Sequence, residues 1–345
     1  MIKKIDSYTQ KHLLTLVSEA KQHGLVLFVG SGINALALPQ WGRLLERILD
    51  VTIQEVEHED SRIGRFRKQL SKWCKSHFDV CAQASLIKHI LGPDRYRLEI
   101  QNALYCDPLD IENEVRDYCR HRKRGKKNII QEKHDRFEYL WAVANLCSTE
   151  QVKAVATFNF DTLLETAIEE CGLKQPRAYF GQVGTMEQHT ASFSKLILPV
   201  YHVHGLLSPP QTLLRSSGES VVFSFDEYFN QNADPLSWET ATSLHLLRHY
   251  CTLWLGASLK DWNMMRLLNA AMINQSETHT YCLQCLQDIR DYSVVFKEIA
   301  LRFQASLFDS VGVRLVVGGK EYSCLPVILS NEITAELNKS SKKDT

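Results

Sequence analysis

The chain carries no surplus of charge: 40 lysines and arginines stand against 40 aspartates and glutamates. A protein that lives on phosphate backbones shows a basic excess, so nucleic acid is not the default partner, although a local patch can still bind it. Long apolar runs are missing as well. None reaches the length of a bilayer crossing, and the opening MIKKIDSYTQKHLL has Lys3 and Lys4 but no uninterrupted apolar stretch behind them, which argues against a membrane span or an export signal. Nor are the ten cysteines, at positions 74, 81, 106, 119, 147, 171, 251, 282, 285 and 324, spaced like a secreted disulfide scaffold; a reducing cytoplasm is the expected location. Internal repeats and low-complexity segments are absent.

What is present reads as an ordinary globular chain, 44% hydrophobic and 23% charged, which excludes a wholly disordered or fibrous one. Its 345 residues allow one large domain with an insertion, or two domains sharing an interface. Leu13, Leu14, Leu16, Val17 and Ala20 recur at helical spacing and Gly24 follows as a stop, predicting a leader helix over 7–22 packed on a sheet. The apolar run LVLFV then enters Gly30-Ser31-Gly32, and Leu44, Leu45, Ile48 and Leu49 predict a helix over 36–49. From 51 to 147 β-branched runs are scarce and apolar residues sit three and four apart, so this stretch reads as an α-helical insertion. Its basic run RDYCRHRKRGKK, 116–127, reads as a solvated helix end and loop, with an acidic partner or nucleic acid as the other option.

Strand and helix patterns then alternate: strands at 152–158, 196–203, 221–225, 252–256, 278–283 and 311–317, helices at 161–171, 235–249, after 261 and at 289–304, and a frayed tail at 339–345. Such alternation predicts an α/β fold, a Rossmann-like doubly wound parallel sheet, here as a single domain over 1–345 that includes the 51–147 insertion.

Four segments at predicted strand ends carry possible chemistry. Gly30-Ser31-Gly32 can present backbone N–H groups to a phosphate, or can simply mark a tight turn. In Ala156-Thr157-Phe158-Asn159-Phe160-Asp161, Asp161 is either a helix cap or a ligand group, and Asn159, an amide between two aromatics, needs polar partners if buried. Strand alternation puts His202 and His204 on one face, with Gly205 allowing close approach; they are hydrogen-bonded structural residues or supply a general base. Gly256-Ala257-Ser258 repeats the logic of the first loop, as close packing or as nucleotide contact.

Taken in order, Gly30-Ser31-Gly32, Thr157-Phe158-Asn159-Phe160-Asp161, Val203-His204-Gly205 and Gly256-Ala257-Ser258 resemble the sirtuin superfamily: its glycine loop, its Asn-x-Asp segment, its His-Gly and its second Gly-x-Ser loop. The likeness is closer to bacterial sirtuin-like proteins of antiviral defence, in which the first loop is similarly followed by Pro and Trp, here Pro39 and Trp41, with a helical insertion resembling 79–105 and a segment similar to VVFSFDEYF, 221–229. Two features of protein-deacylating sirtuins are missing. There is no Phe-Arg loop after the glycines, and the zinc module of two Cys-x-x-Cys pairs is reduced to Cys282-x-x-Cys285, so no zinc is expected. Asn34 also stands where the family often has Ser.

The resemblance implies that Gly30, Ser31, Gly32, Asn34, Thr157, Phe158, Gly256, Ala257 and Ser258 line the NAD site, with Asp161 on the nicotinamide side. It implies further that Asn159 orients ribose or water and that His204 is the general base. The reaction it implies is hydrolysis of NAD+ to nicotinamide and ADP-ribose, by an effector of an antiviral abortive-infection system. Such an enzyme needs restraint, so a homo-oligomer and a partner ATPase or sensor protein encoded nearby are expected. An NAD-dependent protein deacylase and a non-enzymatic nucleotide-binding subunit of a defence complex are the alternatives.

Overall fold

LVLFV becomes the central strand β1 (Leu25–Val29), all five residues buried, because a parallel strand covered by helices on both faces is apolar throughout rather than alternating. In the computed structural model it is joined by β2 (Val152–Thr157), β3 (Gln175–Tyr179), β4 (Ile197–His202), β5 (Cys251–Leu255), β6 (Thr280–Gln284) and β7 (Val313–Val317). Their order is β3-β4-β2-β1-β5-β6-β7, and every neighbouring pair is parallel. The structure describes residues 7–59, 62–106, 110–124, 135–180, 197–210, 221–234, 237–257, 259, 262–272, 279–284, 293–317 and 325–338.

The helices are α1 (Ser7–His23), α2 (Trp41–Glu59), α3 (Arg62–His77), α4 (Val80–Leu91), α5 (Pro93–Leu104), α6 (Ile111–Lys123), α7 (Glu138–Cys147) and α8 (Leu163–Cys171), then α9 (Phe225–Ala233), α10 (Trp238–His249), α11 (Trp262–Met272), α12 (Val294–Asp309) and α13 (Leu325–Asn338). One face of the sheet buries Leu25, Leu27 and Val29 against Leu16 of α1, Leu45 of α2, Val143 of α7, Ile168 of α8 and Ile333 of α13. That same apolar cluster continues into the insertion through Ile87, Tyr96 and Ile100. The other face buries Val26, Phe28 and Trp254 against Leu246 of α10, Leu268 of α11 and Phe308 of α12. With helices on both faces and the strand order reversing at β1, this is the doubly wound parallel sheet that the alternation predicts, with helices inserted between β1 and β2. Ligands of such sheets sit beyond the carboxyl ends of the strands at the reversal point.

Several elements depart from the sequence reading. The helix expected over 36–49 starts at Trp41 and runs on to Glu59, because Pro39 disfavours helical backbone in the residue before it. The strand expected at 221–225 is a single bridge, Val221 to Gly205; from Ser224 the chain enters α9 through a capping box, with Glu227 reaching back to the Ser224 N–H. Strand β3 and helix α13 were not anticipated. Of the basic run, residues 116–124 lie in α6 and its end, where Arg116 and Arg120 pair with Glu169 and Glu170 of α8; residues 125–127, like the tail 339–345, lie outside the described residues. No helix among the described residues is long and apolar enough to cross a membrane.

Candidate functional site

Strand register gathers the four segments at one level. Leu255, Val29, Thr157 and His202 stand side by side across β5, β1, β2 and β4, so the residues that follow each of them form the rim. The ladder continues one step past the strands: Gly30 N–H donates to the Leu255 carbonyl at 2.9 Å, Phe158 N–H to Val29 at 2.9 Å and Val203 N–H to Thr157 at 3.1 Å.

The two glycine loops are pressed against each other. A Cβ on Gly30 or Gly32 would lie 2.7 Å from the Gly256 carbonyl oxygen, and one on Gly256, whose φ is +65°, would lie 2.6 Å from the Ile33 nitrogen. Close packing, one of the two readings open from sequence, therefore accounts for all three glycines. It also consumes donors: Gly32 N–H goes to the Gly256 carbonyl, and the N–H groups of Ile33 and Asn34 close a 3₁₀ turn onto Gly30 and Ser31. Among the described residues, Ser31 keeps both its N–H and its hydroxyl uncommitted. Ala257 is buried in the second loop, and Ser258 lies outside the described residues.

Beside Ser31 opens a cleft of about 310 Å³, measured out to its mouth, walled by Trp41, Leu104, Asn159, Phe160, Asn34 and Asp161. Trp41 and Phe160 meet edge to face at 4.8 Å. Asp161 is buried; its Oδ1 accepts from the Leu163 N–H at 3.1 Å and its Oδ2 from Asn34 Nδ2 at 2.7 Å. Asp161, one position ahead of the N-cap Thr162, satisfies the first N–H of α8 and also lines the cleft. Burial pushes its pKa up to about 6, against the pull of those two donors. Asn159 is buried as well, with its N–H on Thr157 Oγ1 at 3.1 Å and its Nδ2 3.4 Å from the Gly30 carbonyl. Its side-chain oxygen is buried with no hydrogen-bond partner among the described residues, an arrangement that folded proteins rarely leave without a ligand or water.

The two histidines do not share a face. Strand β4 ends at His202 and the chain turns: Gly205, at φ +93°, returns its N–H to the His202 carbonyl at 3.1 Å, so alternation stops before His204. His202 is fully buried, its Nδ1 3.1 Å from the Asn159 carbonyl oxygen and its Nε2 against Glu165 of α8. Burial works against a charged ring, but Glu165, the Asn159 carbonyl and Asp161 together raise its pKa. His204 instead packs edge to face on Phe158 at 4.9 Å and Tyr228 at 5.4 Å. It borders a second cleft, of about 300 Å³ out to its mouth, shared with Gln231, Glu239, Ser243 and Arg266. Phe158, stacked on Trp254, lines this cleft, while its neighbour Asn159 lines the first.

Sequence reasoning missed Leu104, which the insertion contributes to the first cleft, and Glu165, Glu239 and Arg266. Of these only Glu165 carried a signal, lying one helical turn beyond Asp161. No group of three or more metal-ligating side chains occurs among the described residues.

Compared with known proteins, residues 153–303 match the family model described as SIR2-like domain. Among proteins of curated function, none matches the chain in sequence. A solved structure described as "Structural Basis for the Mechanism and Regulation of Sir2 Enzymes" is 15% identical, with 98% of this chain and 100% of that chain covered at a TM-score of 0.43. The stretch from β2 to α12, which holds the Asn159 turn, the His204 turn and the second glycine loop, is thus similar in sequence to a SIR2-like domain.

Proposed function

We propose that the protein hydrolyses NAD+, breaking the bond between nicotinamide and ribose. The observation that carries the reading is the unpartnered, buried side-chain oxygen of Asn159 in a cleft whose other polar groups are Ser31, Asn34 and Asp161. A flat ring with a carboxamide suits that cleft: Trp41 and Phe160 offer aromatic surface, Asp161 accepts from the amide and Asn34 donates to its carbonyl. Similarity to a SIR2-like domain supports NAD as the ligand.

In this reading Ser31, with Ser258, contacts phosphate and ribose, and Gly30, Gly32, Gly256 and Ala257 shape the rim on which Ser31 stands. Thr157 and Phe158 support the Asn159 turn from beneath. Cleavage develops positive charge on the ribose, as in glycoside hydrolysis. On the same reading Asp161 and Asn159 face that charge, and the bond's electron pair leaves with nicotinamide. The ribose in this reading lies between the two clefts, and His204, at the second, takes the proton of the attacking water, whose oxygen bonds to the anomeric carbon. The role that fits is an effector of antiviral abortive infection, held in check within a homo-oligomer or by a partner ATPase or sensor protein.

The test is nicotinamide release from NAD+ by the purified chain, alone and with the product of the neighbouring gene. Replacing His204 or Asn159 by Ala should lower release by about a hundredfold or more, with the melting temperature retained. Wild-type rates in the His204→Ala protein would overturn the assignment of the base. Release that requires an acylated peptide, or stoichiometric NAD binding without turnover even with the partner, would overturn hydrolysis.

A further inference from the structure

His202 and Glu165 lie one layer behind the cleft and line neither of the two described. The nitrogens of His202 face two acceptors, the Asn159 carbonyl at 3.1 Å and Glu165 Oε1. A carbonyl brings no hydrogen, so the first contact requires a hydrogen on Nδ1; the second then requires one more proton between Nε2 and the carboxylate. Whether that proton sits on the ring or on Glu165, Nδ1–H donates to Asn159.

This contact matters because the Asn159 side chain is poorly held by its own bonds. Among the described residues its one hydrogen bond is Nδ2 to Gly30 at 3.4 Å, so its direction follows from its backbone. That backbone is pinned by Phe158 N–H on Val29, Asn159 N–H on Thr157 Oγ1, Phe160 carbonyl on Leu207 N–H, and Asn159 carbonyl on His202. The last is a charge-assisted bond when the ring is cationic, the stronger kind. A buried ion pair is a poor device for stability, since apolar residues of like volume do as well or better. Here it also leaves Glu165 Oε2 buried without a partner among the described residues.

We propose that His202, oriented by Glu165, is a positioning residue that fixes the Asn159 carbonyl and thereby aims the Asn159 amide into the cleft. The proposal rests on the reading of Asn159 as the group that meets ribose or water. His202→Leu removes the donor, and His202→Gln restores one. In nicotinamide-release assays, His202→Leu should lower kcat about 10- to 100-fold, the scale of a misplaced catalytic group, with KM for NAD+ within about twofold, and His202→Gln should recover most of the loss. Unchanged kcat in His202→Leu, or a loss that Gln does not relieve and that tracks a lower melting temperature, overturns it. A second measurement stands apart from activity and from mutant folding: ¹⁵N NMR of the wild-type histidines. A protonated Nδ1 on His202 at neutral pH is expected, and a bare Nδ1 would refute the contact even if the protein cleaves no NAD+.

Discussion

Replacing Asp161 by Asn should make the protein more stable while disabling the first cleft, and the gain should grow with pH. The carboxyl is buried at 6% exposure, and burial lifts its pKa from 3.8 to about 6 in the folded protein. The folded state therefore holds this proton more tightly than the unfolded chain does. Stability attributable to Asp161 is greatest below pH 4, falls as pH rises through the window from about 4 to 6, and levels off above it. A difference of about two units at 1.36 kcal/mol each amounts to a penalty of roughly 3 kcal/mol at pH 7.5. Asn carries no charge at any pH and escapes that penalty. Asn has one acceptor oxygen, which can serve the Leu163 N–H, while its Nδ2 then meets Asn34, whose amide has to turn over to accept; set against the protonated carboxyl, this rearrangement offsets part of the gain and leaves about 1–3 kcal/mol net at pH 7.5. The offset is independent of pH, so it cancels when two pH values are compared. Urea unfolding should then show the mutant's advantage at pH 7.5 exceeding that at pH 5 by about 1.5 kcal/mol. An equal difference at both pH values would show that the carboxyl bears no such burial penalty. Such a stability gain is the trade-off expected if the buried charge at Asp161 is kept for function, as proposed.

Gly256→Ala should cost about 2–5 kcal/mol in urea unfolding, combining left-handed strain with overpacking against Ile33 and Gly30. Gly172→Ala, at φ +73° with the Lys123 ammonium at 3.0 Å and the Glu169 carbonyl at an ordinary 3.9 Å, should cost about 1–2 kcal/mol, chiefly from strain; equal costs would refute the packing of the two loops. Lys88→Met removes the contacts of Lys88 Nζ with Asp226 at 2.6 Å and Glu227 at 2.9 Å. It should cost about 1–2 kcal/mol and lower hydrogen-exchange protection in α9 ahead of β1; unchanged protection there would sink it. Tyr105→Phe withdraws the donor to the Leu207 carbonyl, 2.7 Å away, and should cost about 0.5–1.5 kcal/mol by the same unfolding assay, with no cost refuting the bond.

The sheet was legible where a strand is covered on both faces and ends in small residues. Strands β1, β2, β4 and β5 all read as apolar runs entering Gly30, Asn159, His204 and Gly256. Strand β3 has no such run, because QPRAY sits at the sheet edge with its residues half-buried or exposed, so burial left little pattern in it. Helix α9 is short and polar, and the spacing of Ser224 and Glu227 was its one available signal, the capping box. Segment VVFSF looked like a strand because Val221 and Phe223 are buried, yet burial there comes from packing around Trp41 and Phe160 rather than from the sheet. The site was legible as a set of rim residues but not as contacts. Asn34 meets Asp161 across 127 positions and His202 meets Glu165 across 37; no local period encodes such pairs. The error over His202 and His204 has the same root, since alternation holds only while the strand lasts.

The inserted helices wall and brace the two clefts rather than standing apart from them. Leu104 at the end of α5 walls the first cleft, and its neighbour Tyr105 ties the chain just past His204 through the Leu207 carbonyl. Gln101 of α5 donates to the Ser208 carbonyl at 2.6 Å. Helix α4 holds the start of α9 through Lys88 and through Ser85 Oγ, which accepts the Phe225 N–H at 2.8 Å. Helix α9 in turn supplies Tyr228 to the His204 ring and Gln231 to the Val203 carbonyl. Any displacement of α4 or α5 therefore has a short physical route to both clefts at once: directly through Leu104 to one, and through α9 to the other. A sheet rim whose glycine loops are locked against each other has little freedom to change, so control of the site is better placed in these helices than in the rim itself.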